Sequence, residues 1–233
     1  MTSRRTFLAA SAAAFATVAL GGFGRLAQAA AADQSGSFLR AVEMDDGRGV
    51  KSQLDHGMDP NATNRAGEPA LVVAAREGSM GALRVLLAHP KLRIEAAAPN
   101  GNTALMMAAY KGNAPAVDLL LAKGAAVNRD GWTPLHYAAA AGDDGIAATL
   151  LERGARIDAV SPPQSGSFTP LMMAAREGHE DSALFLVDRG ADVRLKNGEG
   201  LTAAQIAERA GHTSIAQALA TRAAERPKGE QAN

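Results

Sequence analysis

Apolar residues along this chain come in short blocks that recur. Gly101-Asn102-Thr103-Ala104-Leu105-Met106-Met107-Ala108-Ala109 returns as Gly131-Trp132-Thr133-Pro134-Leu135-His136-Tyr137-Ala138-Ala139, and again as Thr169-Pro170-Leu171-Met172-Met173-Ala174-Ala175. Weaker copies are Gly67-Glu68-Pro69-Ala70-Leu71-Val72-Val73-Ala74-Ala75 and Gly200-Leu201-Thr202-Ala203-Ala204-Gln205-Ile206-Ala207. The threonine-equivalent positions are 69, 103, 133, 169 and 202, with spacings of 34, 30, 36 and 33. Each block predicts a short helix closed by a glycine (Gly78, Gly112, Gly142, Gly178, Gly211). A second apolar helix follows, such as Ala116-Val117-Asp118-Leu119-Leu120-Leu121.

The unit can be understood physically. Threonine at the helix start caps free N–H groups, and proline fits the first helical position. Glycine past a helix end accepts the left-handed conformation that closes it. Alanine pairs let neighbouring helices approach. One such unit cannot bury its apolar face alone, so the core comes from stacking.

Thr133-Pro134-Leu135-His136-x-Ala138, with the exits Gly124-Ala125-Ala126-Val127-Asn128 and Gly190-Ala191-Asp192-Val193, closely resembles the ankyrin repeat. The resemblance covers about residues 34–226. It implies an all-α solenoid of helix-turn-helix units with short β-hairpin-like fingers. About six repeats are expected, with approximate bounds 34–63, 64–97, 98–127, 128–163, 164–196 and 197–226. The first and last units read as caps. The connection from Gly124 to Thr133 is short, so the fourth finger should be stunted. The connection from Gly154 to Thr169 is long and carries Ser161-Pro162-Pro163-Gln164-Ser165-Gly166-Ser167, so the fifth should be extended. Pro90 takes the place of an exit glycine.

The start of the chain reads differently. Ser3-Arg4-Arg5-Thr6-Phe7-Leu8 precedes an alanine-rich apolar run, and Ala27-Gln28-Ala29 offers a small-x-small cleavage site. This tripartite pattern resembles a twin-arginine signal peptide over 1–29, cleaved near Ala29. The alternative is a retained anchor, but the run of about 16 residues falls short of the roughly 20 needed to span a bilayer. The resemblance implies a bacterial protein that is periplasmic or secreted. The tail over 227–233 is polar and is expected to be disordered.

Composition narrows the function classes. The chain has 233 residues, 47% of them apolar but only 4% aromatic, and no cysteine. Disulfides and thiolate metal sites are excluded. Arg4, Arg5 and Arg25 lie in the leader, which has no acidic residue; the remainder carries 21 basic against 24 acidic side chains. Nothing in that balance points to nucleic acid. No nucleophile elbow, phosphate loop or His-Glu-x-x-His motif occurs, so no catalytic residue, cofactor or metal ligand is assigned. His136, His179 and His212 read as structural, because equivalent positions in successive repeats stand roughly 10 Å apart. The pairs Met106-Met107 and Met172-Met173 read as core filler.

In ankyrin proteins the fingers and first helices line a concave binding face. Carried over by position, that face implicates Arg65, Glu68, Arg76 and Glu77 in the second unit, and Asn102, Tyr110 and Lys111 in the third. It implicates Arg129, Asp130 and Trp132 in the fourth, and Phe168, Arg176 and Glu177 in the fifth. Tyr110, Trp132 and Phe168 fall on consecutive units, as interface anchors would. The implied function is protein–protein interaction, as an adaptor or protective partner of a periplasmic protein, by a chain that is monomeric when alone. The alternative is a small-molecule- or metal-responsive protein using a pocket between repeats.

Overall fold

The computed structural model describes residues 35–225. The leader, with Arg4, Arg5 and Ala29, and the tail over 227–233 lie outside them. Helix α1 spans 35–43. It is followed by α2 (Gly47–Asp55), α3 (Ala70–Glu77), α4 (Met80–Ala88), α5 (Ala104–Tyr110), α6 (Ala114–Ala122), α7 (Pro134–Ala141) and α8 (Asp144–Glu152). After a single 3-10 turn at Pro163–Ser165 come α9 (Pro170–Glu177), α10 (Glu180–Asp188), α11 (Ala203–Arg209) and α12 (Thr213–Glu225). None of these helices is long and apolar enough to cross a membrane.

The helices form two layers. The first helices α3, α5, α7, α9 and α11 pack each on the next, and the second helices α4, α6, α8, α10 and α12 do likewise. The layers differ in burial for a simple reason. A first helix has neighbours on both flanks and a second helix beneath it, so nearly its whole length is covered: Ala70 to Ala75 in α3, and Ala104 to Ala109 in α5. The Ala-Ala pairs sit at the closest approach, where a larger residue would push the units apart. A second helix buries one stripe, such as Ala82, Leu83, Leu86 and Leu87 in α4. In α6 the stripe is Ala116, Val117, Leu120 and Leu121, while Leu119 is only partly covered.

Capping follows the sequence with one variation. Thr103, Thr169 and Thr202 accept from the backbone N–H three residues on, at 3.3–3.4 Å. That third residue then reaches back to the threonine's own N–H. Gln205 does so with an amide oxygen at 3.0 Å, and His136 with Nδ1 at 3.2 Å. Met106 and Met172 offer only a thioether sulfur, at 3.5 and 3.4 Å. Unlike the methionine sulfur, the His136 ring has a second polar atom, and its Nε2 donates to the Phe168 carbonyl of the next unit at 2.9 Å.

Polar ties join the units beyond the helices. Asn61 Oδ1 accepts from the Arg93 amide, Glu95 Oε1 from Ala126, Asn128 Oδ1 from Arg156 and Asp158 Oδ1 from Asp192, at 2.7–3.1 Å. His179 lies over Gly142 and bonds the Ala140 carbonyl at 3.1 Å. Gly142 has φ +73, and a Cβ there would stand 2.7 Å from the imidazole, so the position tolerates only glycine. His212 bonds the Arg176 carbonyl in the same way, at 3.2 Å. Each of these histidines therefore holds a carbonyl at the end of the preceding unit's first helix. Pro90 forces His89 into extended backbone (φ −80, ψ 128), and this is how α4 ends without the usual glycine.

The fingers are turns without strands. Among the described residues the only isolated β-bridge pairs Thr63 with Pro69. Ordinary fingers close with one backbone bond over four residues: Asn64 to Glu68, Ala98 to Asn102, and Asn197 to Leu201. The fifth closes over seven, from Ser161 to Phe168, around the 3-10 turn. The fourth, over 129–132, has no such closure among the described residues. Neighbouring fingers still touch at every junction. Pro99 lies on Gly67, Arg129 Nη1 donates to the Gly101 carbonyl at 3.1 Å, Pro162 lies on Gly131, and the Gly198 amide donates to the Gly166 carbonyl at 2.9 Å.

Candidate functional site

The face made by the first helices and fingers is uneven in charge. In the second unit Arg65 is exposed, and the other candidates there pair with one another. Arg76 Nη1 lies 3.3 Å from Glu68 and its Nε 3.1 Å from Glu77, while Asn64 donates to Glu68 at 2.7 Å. At the far end Arg209 pairs with Glu199. In the fifth unit Arg176 lies over the Phe168 ring, 5.1 Å from its centre, and pairs with Glu177 at 2.8 Å. Surface pairs of this kind are worth at most about 1 kcal/mol.

The centre of the face differs. Tyr110 ends α5 and is 51% exposed. Its ring meets Tyr137 of α7 edge-on at 6.1 Å. Trp132, half-buried, stands edge-on to Tyr137 at 6.3 Å and to His136 at 5.2 Å. The Tyr137 hydroxyl donates to Asn102 Oδ1 at 2.5 Å. Burial pushes the Tyr137 phenol above its ordinary value, against the pull of that hydrogen bond and of the Arg129 charge. Between these rings and Met173, Arg176 and Glu177 of α9 runs a groove of about 250 Å³. Lys111 is exposed beside Tyr110, and Arg129 lies on the finger side. Among the described residues neither has a carboxylate partner. A second cavity, of about 480 Å³, opens on the other side of the short fourth finger, lined by Asp130, Arg156, Asp158 and Val160 among others.

Beneath the rings His136 is fully buried. The Thr133 N–H donates to Nδ1, which leaves Nε2 to carry the proton it donates to Phe168. Burial is the largest influence on this ring and drives its pKa from 6.5 to about 4, against weaker support from the Phe168 and Ala159 backbone. His136 is thus neutral, and it fixes the floor of the groove. Among the described residues no three histidines or carboxylates stand close enough together to hold a metal ion.

One placement needs correction. Phe168 is 7% exposed and is no surface anchor. The long fifth finger folds back, with the Phe168 amide donating to Ser161 Oγ at 2.8 Å, and this turns the ring inward. Its place in the aromatic cluster is taken by Tyr137, which the repeat pattern assigns to the core. Its equivalents Met107 and Met173 are 9% and 7% exposed, at the edge of the core. A tyrosine in a slot sized for methionine must extend past that edge, and this was the signal available in the sequence.

The fold and the comparisons agree on the class. The family model described as ankyrin repeats (3 copies) matches residues 38–129, 90–161, 127–197 and 160–228. The chain belongs to the ankyrin-repeat family. It is similar, at 34% identity over 108 residues, to the palmitoyltransferase AKR1 of Lachancea kluyveri, covering 44% of this chain and 15% of that protein. It is 32% identical over 117 residues to the human transient receptor potential cation channel subfamily A member 1, covering 49% of this chain and 10% of that one. It is 37% identical over 117 residues to the RelA-associated inhibitor of Mus musculus, covering 48% and 14%. The chain thus spans about a seventh or less of the length of these relatives.

Proposed function

We propose that this chain is an exported binding protein and not an enzyme: an adaptor or protective partner that holds a periplasmic protein on the face of its first helices and fingers. The observation that carries this reading is the central groove. Tyr110, Trp132 and Tyr137 gather there, flanked by Lys111 and Arg129, on a face where Glu68, Arg76 and Glu77 on one side and Arg176 and Glu177 on the other pair among themselves. Clustered aromatic residues with a charged rim are what protein interfaces use as anchors. A cavity of about 250 Å³ also falls below the roughly 300–1,000 Å³ of small-molecule sites. The relative named an inhibitor associated with RelA is itself named for a protein partner. Export is supported by Ser3-Arg4-Arg5-Thr6-Phe7-Leu8 and the small residues ending at Ala29.

The alternative, a small-molecule-responsive protein, would use the larger cavity beside Asp130 and Arg156. Affinity capture from periplasmic extract separates the two. A discrete protein retained by the unaltered chain and lost with Tyr110→Ala and Trp132→Ala together is the expected result. Retention unaffected by both substitutions would remove the groove from the binding site. No retained protein, with a ligand-dependent rise in melting temperature instead, would favour the alternative.

A further inference from the structure

The charge around the groove says what kind of segment fits it. Glu177, the one carboxylate lining it, is already held by Arg176, which is itself laid over Phe168. Two further cations beside the rings are differently placed. Among the described residues Lys111, at the end of α5, has no acidic partner, and the Arg129 guanidinium is held by the Gly101 carbonyl and by no carboxylate. A carbonyl fixes a guanidinium in place without neutralising it. The local excess is therefore positive, beside an apolar slot whose volume suits one bulky side chain.

Resting on the interaction reading above, we infer that the groove receives a bulky apolar side chain from an acidic segment of the partner, with carboxylates on either side of it meeting Lys111 and Arg129. The spacing follows from the fold. Lys111 and the Gly101 carbonyl that holds Arg129 flank the seven residues of α5, which at about 1.5 Å per helical residue, with the turn before them, sets the two cations roughly 15 Å apart. An extended chain rises about 3.3 Å per residue. The two acidic residues of the segment therefore stand about five positions apart, with the apolar residue between them. A cationic segment meets the same rings but places its charge against Lys111 and Arg129. Rim charges act mainly on association rate and salt dependence, so the signature is a salt-sensitive affinity that reverses with the sign of residue 111.

The test is selection of a displayed random 12-residue peptide library on the full chain. Synthetic copies of the enriched peptides are then titrated by fluorescence of Trp132, the chain's single tryptophan. The expected peptides carry two Asp or Glu about five positions apart around a Leu, Ile, Met or aromatic residue. Raising NaCl from 50 to 500 mM should weaken them, and Lys111→Glu should weaken them by about tenfold. Both Lys111 and Tyr110 are exposed, so both variants should keep the helical circular dichroism; Lys111→Glu should leave the melting temperature unchanged, and Tyr110→Ala, which gives up its edge contact with Tyr137, should lower it only slightly. Enrichment of basic or uncharged peptides that Tyr110→Ala still releases would overturn the acidic assignment and leave the groove as the binding site. Peptides indifferent to Tyr110→Ala, or no enrichment at all, would overturn both.

Discussion

Replacing His136 by methionine tests the floor of the groove, because the protein already uses methionine at the same place in the units on either side. Met106 and Met172 accept the threonine N–H through sulfur, so His136→Met should keep the cap and fill the space. It loses the Nε2 bond to the Phe168 carbonyl, but that carbonyl retains the Ser161 N–H at 2.8 Å. The cost at pH 7.5 is therefore that of one hydrogen bond whose acceptor stays satisfied, about 1 kcal/mol. Acid changes the comparison. The folded imidazole titrates near 4 and the unfolded one near 6.5. Between those values the unfolded chain binds the extra proton, so stability falls as pH falls through that window. At about 1.4 kcal/mol per pH unit the loss reaches roughly 3 kcal/mol by pH 4. The methionine variant has no such loss. It should be less stable than the parent at pH 7.5 and more stable by about 2 kcal/mol at pH 4, with the curves crossing between about pH 5 and 6. Urea unfolding of both proteins at half-unit intervals measures this, and the carboxylates common to both cancel in the difference. Curves that stay parallel down to pH 4.5 would refute the buried, neutral histidine.

Leu120→Ala should cost about 2–5 kcal/mol. Leu219→Ala should cost less even though both side chains are sealed from water, because Leu219 has a unit on one side only; denaturant melts in the reverse order would contradict this. Trp132→Ala should weaken partner binding by about 2 kcal/mol. Its edge contacts with His136 and Tyr137 imply a further stability cost of about 1 kcal/mol, and a variant that unfolds readily yet binds normally would make Trp132 a purely structural wedge. Arg4→Lys with Arg5→Lys should leave an unprocessed precursor in the cytoplasm. Fractionation showing normal export of that double variant would exclude the twin-arginine route.

The architecture was legible because each unit solves its local problem with the same residues. Threonine caps, glycine closes and an alanine pair permits approach, and all three lie within a dozen residues of one another. The stunted fourth finger and extended fifth also followed from counting residues between Gly124 and Thr133 and between Gly154 and Thr169. The binding face was less legible. Position 168 is equivalent to Glu68 and Asn102, both polar, which argued for exposure. The fold-back that buries Phe168 depends on Ser161 seven residues earlier and on His136 in another unit, neither of which the repeat period reveals. Tyr137 was hidden by the converse error: its repeat position belongs to the core, but its side chain is longer than the position allows. Three of the four candidates of the second unit, Glu68, Arg76 and Glu77, are committed to one another, and no linear pattern distinguishes Glu68 paired with Arg76 from Glu68 free.

The ties between units also determine how the molecule would respond to a pull. The extensive helix contacts run within a unit or to the next one, as do the bonds from Asn61, Glu95, Asn128 and Asp158. Among the described residues nothing clamps the first unit to the last, so tension applied at the two ends of the stack loads each junction in series. In a stack of nearest-neighbour interfaces the terminal units have one such interface to lose and the inner ones two. Stretched, the chain should peel from its ends one helix pair at a time, in steps of similar length. The aromatic groove, formed by three inner units, would be among the last parts to come apart.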